Sequence, residues 1–343
     1  MNLILRTIDA HTAGEPLRLV IEGWPAPQGK TMLERRAWAR EHQDEIRRAL
    51  MFEPRGHSDM YGALLTEPER ADSDAGVLFM HNEGFSTMCG HGIIAVTTIA
   101  VERGLILGSQ GSQGSQGSTS VPLTLDAPAG QIRARADVVV RGGQRRVERV
   151  SFINVPSFVF AAAVPIQVGA RAMQVDVAFG GAFYAIVDAE AAGIPVVVER
   201  LPELKQMGMA IKREVERAVA VAHPLEPGLA GIYGTIFTGP ASSESAHLRN
   251  VTVFADAEVD RSPCGTGTCA VLAVLDAMGL VEDEKPFVHE SIIGTTFSAL
   301  VSSRTTVGEL PAIVPQLTGD AWITGEHTFI VDKKDPLRKG FRI

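Results

Sequence analysis

Two short strings in the chain place a thiol beside flexible backbone: Cys89-Gly90-His91-Gly92 and Cys264-Gly265-Thr266-Gly267. Each runs into an apolar stretch with helical spacing, Ile93 to Val101 after the first and Ala270 to Met278 after the second. Each cysteine is therefore expected at a helix N-terminus. Bare N–H groups and the helix dipole favour an anion there, and a thiol is expected to ionise below its usual pKa of about 8.5. Two such thiols facing opposite sides of one carbon could remove a proton from one face and return it to the other. That is stereoinversion without a cofactor. It needs one cysteine to start as thiolate and the other as thiol, the two titrating as a coupled pair near working pH.

The elements that must carry these thiols read as strands and a few helices. Leu3 to Ile8 reads as a strand ending in a polar turn, Asp9 to Pro16, followed by a strand over Leu17 to Ile21. Thr31 to Leu50 has helical spacing with many Arg and Glu residues and is expected to be one exposed amphipathic helix. Short strands follow near Tyr61 to Leu65 and Gly76 to Met80. Gly108 to Ser120 repeats Gly-Ser-Gln three times, buries little, and is expected to be a mobile surface loop. Strand signals resume at Val121 to Leu125, Gln131 to Val140 and Val147 to Asn154, with Pro156 to Gln167 as the passage to a second half. That half repeats the order: strands at Gly181 to Val187, Gly231 to Phe237 and Val251 to Phe254, and a helix at Leu204 to Val221. After the second cysteine helix come strands at Ser291 to Val301, Ala312 to Thr318 and Gly325 to Val331. The reading is α+β: two similar halves, 1–155 with the C-terminal segment 326–343, and 156–325, with a cleft between them.

Composition narrows the partners. The chain has 343 residues and a net charge of −8. With no clustered Lys/Arg stripe, this points away from nucleic acid and anionic membranes. The N-terminal segment lacks signal-peptide regions, and no window reaches membrane-spanning length. The three cysteines form no disulfide framework, so a reducing cytoplasm is the default compartment. Metal-ligand spacing is absent, as are a pyridoxal-phosphate lysine motif and a dinucleotide-binding glycine fingerprint. A cofactor-free and metal-free site is expected, with a small molecule as partner. The competing class is a thiol redox or metal-binding protein.

Several residues carry blander readings. Cys269 lacks the glycine context and reads as core. His91 either caps its helix or meets a ligand. His11, His57 and His81 fall in polar loops where structural hydrogen bonds suffice, and Asp59 and Glu83 read as solvated or turn-stabilising. Phe79 and Phe254 would look the same in any strand core.

The segments Asp9 to Pro16, Met88 to Gly92 and Asp260-Arg261-Ser262-Pro263-Cys264-Gly265-Thr266-Gly267-Thr268 resemble the proline racemase family. That family comprises proline racemases, 4-hydroxyproline 2-epimerases and trans-3-hydroxyproline dehydratases. The resemblance implies the fold shared with diaminopimelate epimerase: two pseudo-symmetric halves, each a mixed β-sheet curled around a central helix, with the active site between them. It implies Cys89 and Cys264 as the acid–base pair, and Gly90, His91, Gly265 and Thr266 as the cradle of the substrate carboxylate. It further implies Asp260 as the partner of the ring ammonium, and Phe79, Phe254 and Tyr61 as the wall around the ring. Proline-selective members tend to carry phenylalanine at the position of Tyr61, whereas a phenol can meet a ring hydroxyl. Two cysteines favour a racemase or 2-epimerase, because the dehydratase branch usually has threonine at the second. His81 to Met88 and Asp59 to Gly62 look like the dehydratase branch, which remains the alternative. The resemblance is compatible with a homodimer. The Gly-Ser-Gln insertion lies outside the family pattern.

Overall fold

A computed structural model describes residues 2–106, 112–113 and 118–342. The chain forms two compact units, Met1–Phe152 with Gly319–Ile343, and Ile153–Thr318.

The first unit comprises β1 (Leu3–Thr12), β2 (Glu15–Glu22), α1 (Met32–His42), α2 (Asp44–Met51), β3 (Tyr61–Thr66), β4 (Ala75–His81) and β5 (Gly84–Phe85). Then come α3 (Gly90–Arg103), β6 (Ser112–Gln113), β7 (Ser118–Ala127), β8 (Gly130–Arg141) and β9 (Gln144–Ile153). The second unit comprises β10 (Ser157–Val168), β11 (Arg171–Phe179), β12 (Phe183–Asp188), α4 (Ala189–Ala192), α5 (Leu201–Ala218), β13 (Ile232–Pro240), β14 (Leu248–Phe254) and β15 (Glu258–Asp260). It continues with α6 (Gly265–Ala277), β16 (Phe287–Ser291), β17 (Thr296–Val307) and β18 (Leu310–Gly319), after which β19 (Ala321–Val331) returns to the first unit.

Strand pairing repeats between the units. In the first, β19 and β1 are antiparallel, as are β1 and β2; β2 and β3 are parallel, β3 and β4 antiparallel, β4 and β7 parallel, and β7 and β8 antiparallel. In the second, the series β10, β11, β12, β13, β14, β16, β17 runs through the same alternation. There β17 pairs with β18 and β18 with β10, so the sheet closes on itself. In each unit a short strand, β5 or β15, folds back on the strand before the cysteine helix.

The sheets curl around α3 and α6. Both helices are apolar on nearly all sides: Gly90–Val101 and Gly265–Val274 are buried throughout. A helix without a polar face must sit inside, and a curled sheet covers it on every side.

The structure departs from the sequence reading in several places. Asp9 to Thr12 continue β1, and the turn is only Ala13 and Gly14. Ser157–Val168 is no passage but a long strand, bent where its register shifts twice against β11 and where Ala163 takes φ 52°. The strand β11 went unread. Part of the Gly-Ser-Gln segment lies outside the described residues; within it, Ser112 and Gln113 pair with Ser120 and Thr119.

The expected single helix over Thr31 to Leu50 is two helices. A capping box starts α1: Thr31 Oγ1 accepts the Glu34 N–H and the Glu34 carboxylate accepts the Thr31 N–H. Gln43 ends it with non-helical backbone, φ −126° and ψ 10°. The cause is a buried contact, since Gln43 Oε1 accepts the Trp24 indole N–H at 2.8 Å and its Nε2 donates to the Pro25 carbonyl at 2.7 Å. Nor is α2 a solvated face, because Arg47, Ala49, Leu50 and Met51 are buried. Arg47 donates to the His81 and Asn82 carbonyls and pairs with Asp44. Gln43→Met keeps the volume but strands the indole N–H and the Pro25 carbonyl, so urea unfolding should show a loss of about 2 kcal/mol.

Candidate active site

Both cysteines occupy the N-cap positions of the central helices. In the first unit the Cys89 backbone is extended, φ −146°, and its sulfur accepts the Gly92 N–H at 3.2 Å. The His91 ring lies beside it, with Nδ1 3.2 Å from the sulfur. Tyr61 meets the His91 ring edge-on at 4.8 Å between centroids and donates its hydroxyl to Ser86 Oγ at 2.7 Å. Phe79 is fully buried, its ring packed beneath the first helical turn. A Cβ on Gly92 would lie 2.8 Å from the Cys89 sulfur and 2.5 Å from the Phe79 ring. Only glycine leaves room for the thiol.

The second unit repeats the construction with different chemistry. A Cβ on Gly267 would lie 2.9 Å from the Cys264 sulfur. Here the cysteine backbone is left-handed, φ 61°. Asp260, at the end of β15 and 4% exposed, accepts the Ser262 N–H at 2.8 Å and its hydroxyl at 2.7 Å. The Ser262 hydroxyl oxygen in turn accepts the Cys264 N–H at 3.1 Å. Phe254, near the end of β14, stacks on Tyr233 at 5.3 Å, and Tyr233 meets Tyr184 edge-on at 5.8 Å.

The electrostatics correct one expectation. The helix N-terminus was expected to lower the thiol pKa, yet burial and the neighbouring Asp260 carboxylate push Cys264 up to about 12. The N–H donor at Gly267 and the Tyr184 hydroxyl oppose this without reversing it. Burial also pushes Asp260 up to about 6 against the help of Ser262. At neutral pH the second unit therefore holds an anionic Asp260 beside a protonated Cys264.

Sequence reasoning missed Tyr184. Its hydroxyl lies 2.6 Å from Thr266 Oγ1 and 3.6 Å from the Cys264 sulfur. Burial raises the phenol well above its ordinary pKa, so it stays protonated. No local signal marks Tyr184 in the sequence; of the three tyrosines, Tyr61 meets His91 and Tyr184 meets Cys264, while Tyr233 packs on Tyr184 and Phe254.

The remaining candidates take structural places. Cys269 is buried inside α6, its thiol pushed up to about 12 by burial. His11 Nδ1 accepts the Gly14 N–H and His81 Nδ1 the Glu83 N–H. Glu83 pairs with Arg342. His57 is exposed and contacts the Ser58 carbonyl. Among the described residues no group of three or more His, Cys, Asp or Glu side chains converges as a metal site, and no helix is long and apolar enough to cross a membrane.

Residues 7–342 match the proline racemase family, and the chain belongs to it. A trans-3-hydroxy-L-proline dehydratase of Bacillus cereus is 49% identical over 341 residues, covering 99% of this chain and 98% of that protein. A 3-hydroxyproline 2-epimerase of Burkholderia multivorans is 43% identical over 343 residues, with 99% and 98% covered. Among solved structures, a hydroxyproline epimerase of Agrobacterium vitis with bound trans-4-hydroxy-L-proline superposes with TM-score 0.88 at 30% identity, covering 99% of this chain and 96% of that one. A probable proline racemase of Agrobacterium radiobacter with bound carbonate gives TM-score 0.88 at 32% identity with the same coverage. The mixed sheet curled around a central helix in each half is the expected fold.

The raised Asp260 pKa has a consequence for stability. The folded state holds this proton up to about pH 6, whereas the unfolded chain releases it near 3.8. Stability from this group is full below that lower value and is lost as pH rises through about 6. Relative to Asp260→Asn, the wild type should lose roughly 2.5 kcal/mol between about pH 4 and 7 in urea unfolding. A flat difference across that range rejects burial as the cause.

Proposed function

We propose that this protein is a cofactor-independent 2-epimerase or racemase acting on proline or a hydroxyproline, with Cys89 and Cys264 as its two acid–base groups. The observation that carries this is the duplicated thiol seat: a cysteine at the N-cap of a buried helix, with a glycine three residues on making room for its sulfur, built once in each unit. A structural cysteine needs no such seat, and inversion needs two.

The reaction requires one bound Cα within reach of both sulfurs. Asp260, anionic at neutral pH, takes the secondary ammonium of the ring. Burial and the Asp260 carboxylate together hold Cys264 protonated; the cation offsets the second of these, so substrate binding makes the second thiol easier to ionise. The first-turn N–H groups of Gly90, His91, Gly265 and Thr266 take the carboxylate; helix geometry gives such groups no carbonyl acceptor within the helix. As Cα–H breaks, charge flows onto the carboxylate, and these fixed donors stabilise it without reorganising. For one isomer the Cys89 thiolate removes the proton and the Cys264 thiol delivers its own to the opposite face. The cysteines leave with exchanged protonation states, which suits them to the opposite isomer. His91, beside the Cys89 sulfur, orients it, and Tyr61, Phe79 and Phe254 enclose the ring. That none of the three cysteines forms a disulfide fits a reducing cytoplasm.

A second reading is favoured by the identity to dehydratases and by the protonated state of Cys264. With trans-3-hydroxy-L-proline, the same carbanion can expel the neighbouring hydroxyl as water, and a neutral thiol is a suitable proton donor to that leaving group.

Proton NMR in D2O with L-proline, trans-4-hydroxy-L-proline and trans-3-hydroxy-L-proline in separate tubes decides between them. Deuterium at Cα together with the inverted isomer is the expected result; water loss from the 3-hydroxy compound without inversion rejects the epimerase in favour of the lyase. Cys89→Ala and Cys264→Ala should each lower inversion by about 10³-fold or more. Retention of even a few per cent of turnover in either variant excludes a two-thiol mechanism. Pyrrole-2-carboxylate, flat at the former Cα, should inhibit competitively.

A further inference from the structure

The left-handed backbone of Cys264 is unlike the extended backbone of Cys89. A non-glycine residue holds such a conformation only where its surroundings impose it. Both peptide planes flanking the Cys264 Cα are tied. In the preceding plane, the Pro263 carbonyl accepts Asn250 Nδ2–H at 2.7 Å and the Thr268 hydroxyl at 3.1 Å, while the Cys264 N–H goes to Ser262 Oγ at 3.1 Å. In the following plane, the Cys264 carbonyl accepts the Thr268 N–H at 2.7 Å. With both planes fixed, φ and ψ have no freedom left.

Behind this clamp sits His289 on β16, with no solvent exposure. Asn250 Nδ2 lies 2.8 Å from its ring nitrogens, and Thr268 Oγ1 lies 2.9 Å from Nδ1. One arrangement of protons satisfies all of these contacts together. Asn250 spends one N–H on Pro263 and the other on His289 Nε2; His289 Nδ1–H donates to Thr268 Oγ1; the Thr268 hydroxyl proton goes to Pro263. This needs a neutral imidazole, and burial holds the ring neutral by lowering its pKa to about 3. The amide keeps this orientation although it leaves Asn250 Oδ1 buried without a hydrogen bond, because a flipped amide would turn its oxygen onto the Pro263 carbonyl.

We propose that His289 is a positioning residue for the Cys264 thiol: its ring locks Asn250 and Thr268 onto the Pro263 carbonyl, and that carbonyl sets the backbone turn from which the sulfur projects. The functional importance of this rests on the reading of Cys264 as an acid–base group; the positioning itself does not.

The test reads thiol geometry rather than turnover. Iodoacetamide alkylation of Cys89 and Cys264 is followed separately by peptide mass spectrometry in wild type, His289→Phe, Thr268→Val and His289→Gln. Gln carries an acceptor and a donor at nearly the imidazole spacing. In His289→Phe and Thr268→Val the Cys264 rate should change by about fivefold or more, with Cys89 within about twofold and His289→Gln near wild type. Thr268→Val, which keeps the side chain's shape, carries the test should His289→Phe fail to fold. A Cys264 rate within about twofold of wild type in both variants overturns the proposal. So does a parallel change at Cys89, which would mark a general loosening. If the Cys264 rate moves as expected while proton exchange at Cα is untouched, the clamp stands and the two-thiol function falls.

Discussion

A sulfur atom at the mouth of a fully buried helix has to displace something, and in this protein it displaces a side chain three residues later. The thiol of an N-cap cysteine reaches back over the first turn, toward the place where the third helical residue would carry its Cβ. Gly92 and Gly267 vacate that place. The consequences run outward. A helix that starts with glycines has poor intrinsic propensity in its first turn, so α3 and α6 depend on tertiary burial. Burial on all sides requires a sheet that curls completely, and in the second unit the sheet closes. The architecture follows from housing one thiol per helix end.

The two seats differ where it matters. Cys89 has an extended backbone and an imidazole beside its sulfur; Cys264 has a left-handed backbone, a phenol, a threonine hydroxyl and a nearby carboxylate. Four residues before Cys264 stands Asp260, and four before Cys89 stands Phe85. The buried carboxylate beside the second thiol has no counterpart at the matching position of the first. The duplicated scaffold therefore supplies two alike thiol seats set in unlike charge surroundings.

How far the sequence exposed this depended on the range of each interaction. The cysteine turns were legible because everything that builds them lies within about four residues, in reach of local spacing rules. Asp260 was legible for the same reason. Tyr184 was not, since eighty positions separate it from Cys264 and only parallel pairing of β12 with β13 and burial of α6 bring the two together. The break at Gln43 was hidden because its partner, the Trp24 indole, is likewise distant in sequence. Ser157–Val168 escaped as a strand because its register slips twice, which spoils the period-2 pattern. The thiol pKa was misjudged by counting the helix terminus and omitting desolvation, which dominates for a group shut off from water.

The pairing of β1 with β19 has a meaning for how the chain assembles. Ten residues near the start pair with a strand more than three hundred positions later, whereas the second unit is one continuous segment. During synthesis the first unit is made first but lacks a strand against β1 until residues 321–331 emerge. The second unit has all its strands earlier, so the half translated later is the half that can finish first. Until then β1 presents an unpaired edge, the kind of surface on which nascent chains pair wrongly. The closing strand that completes the first sheet also sets the order of its own biogenesis.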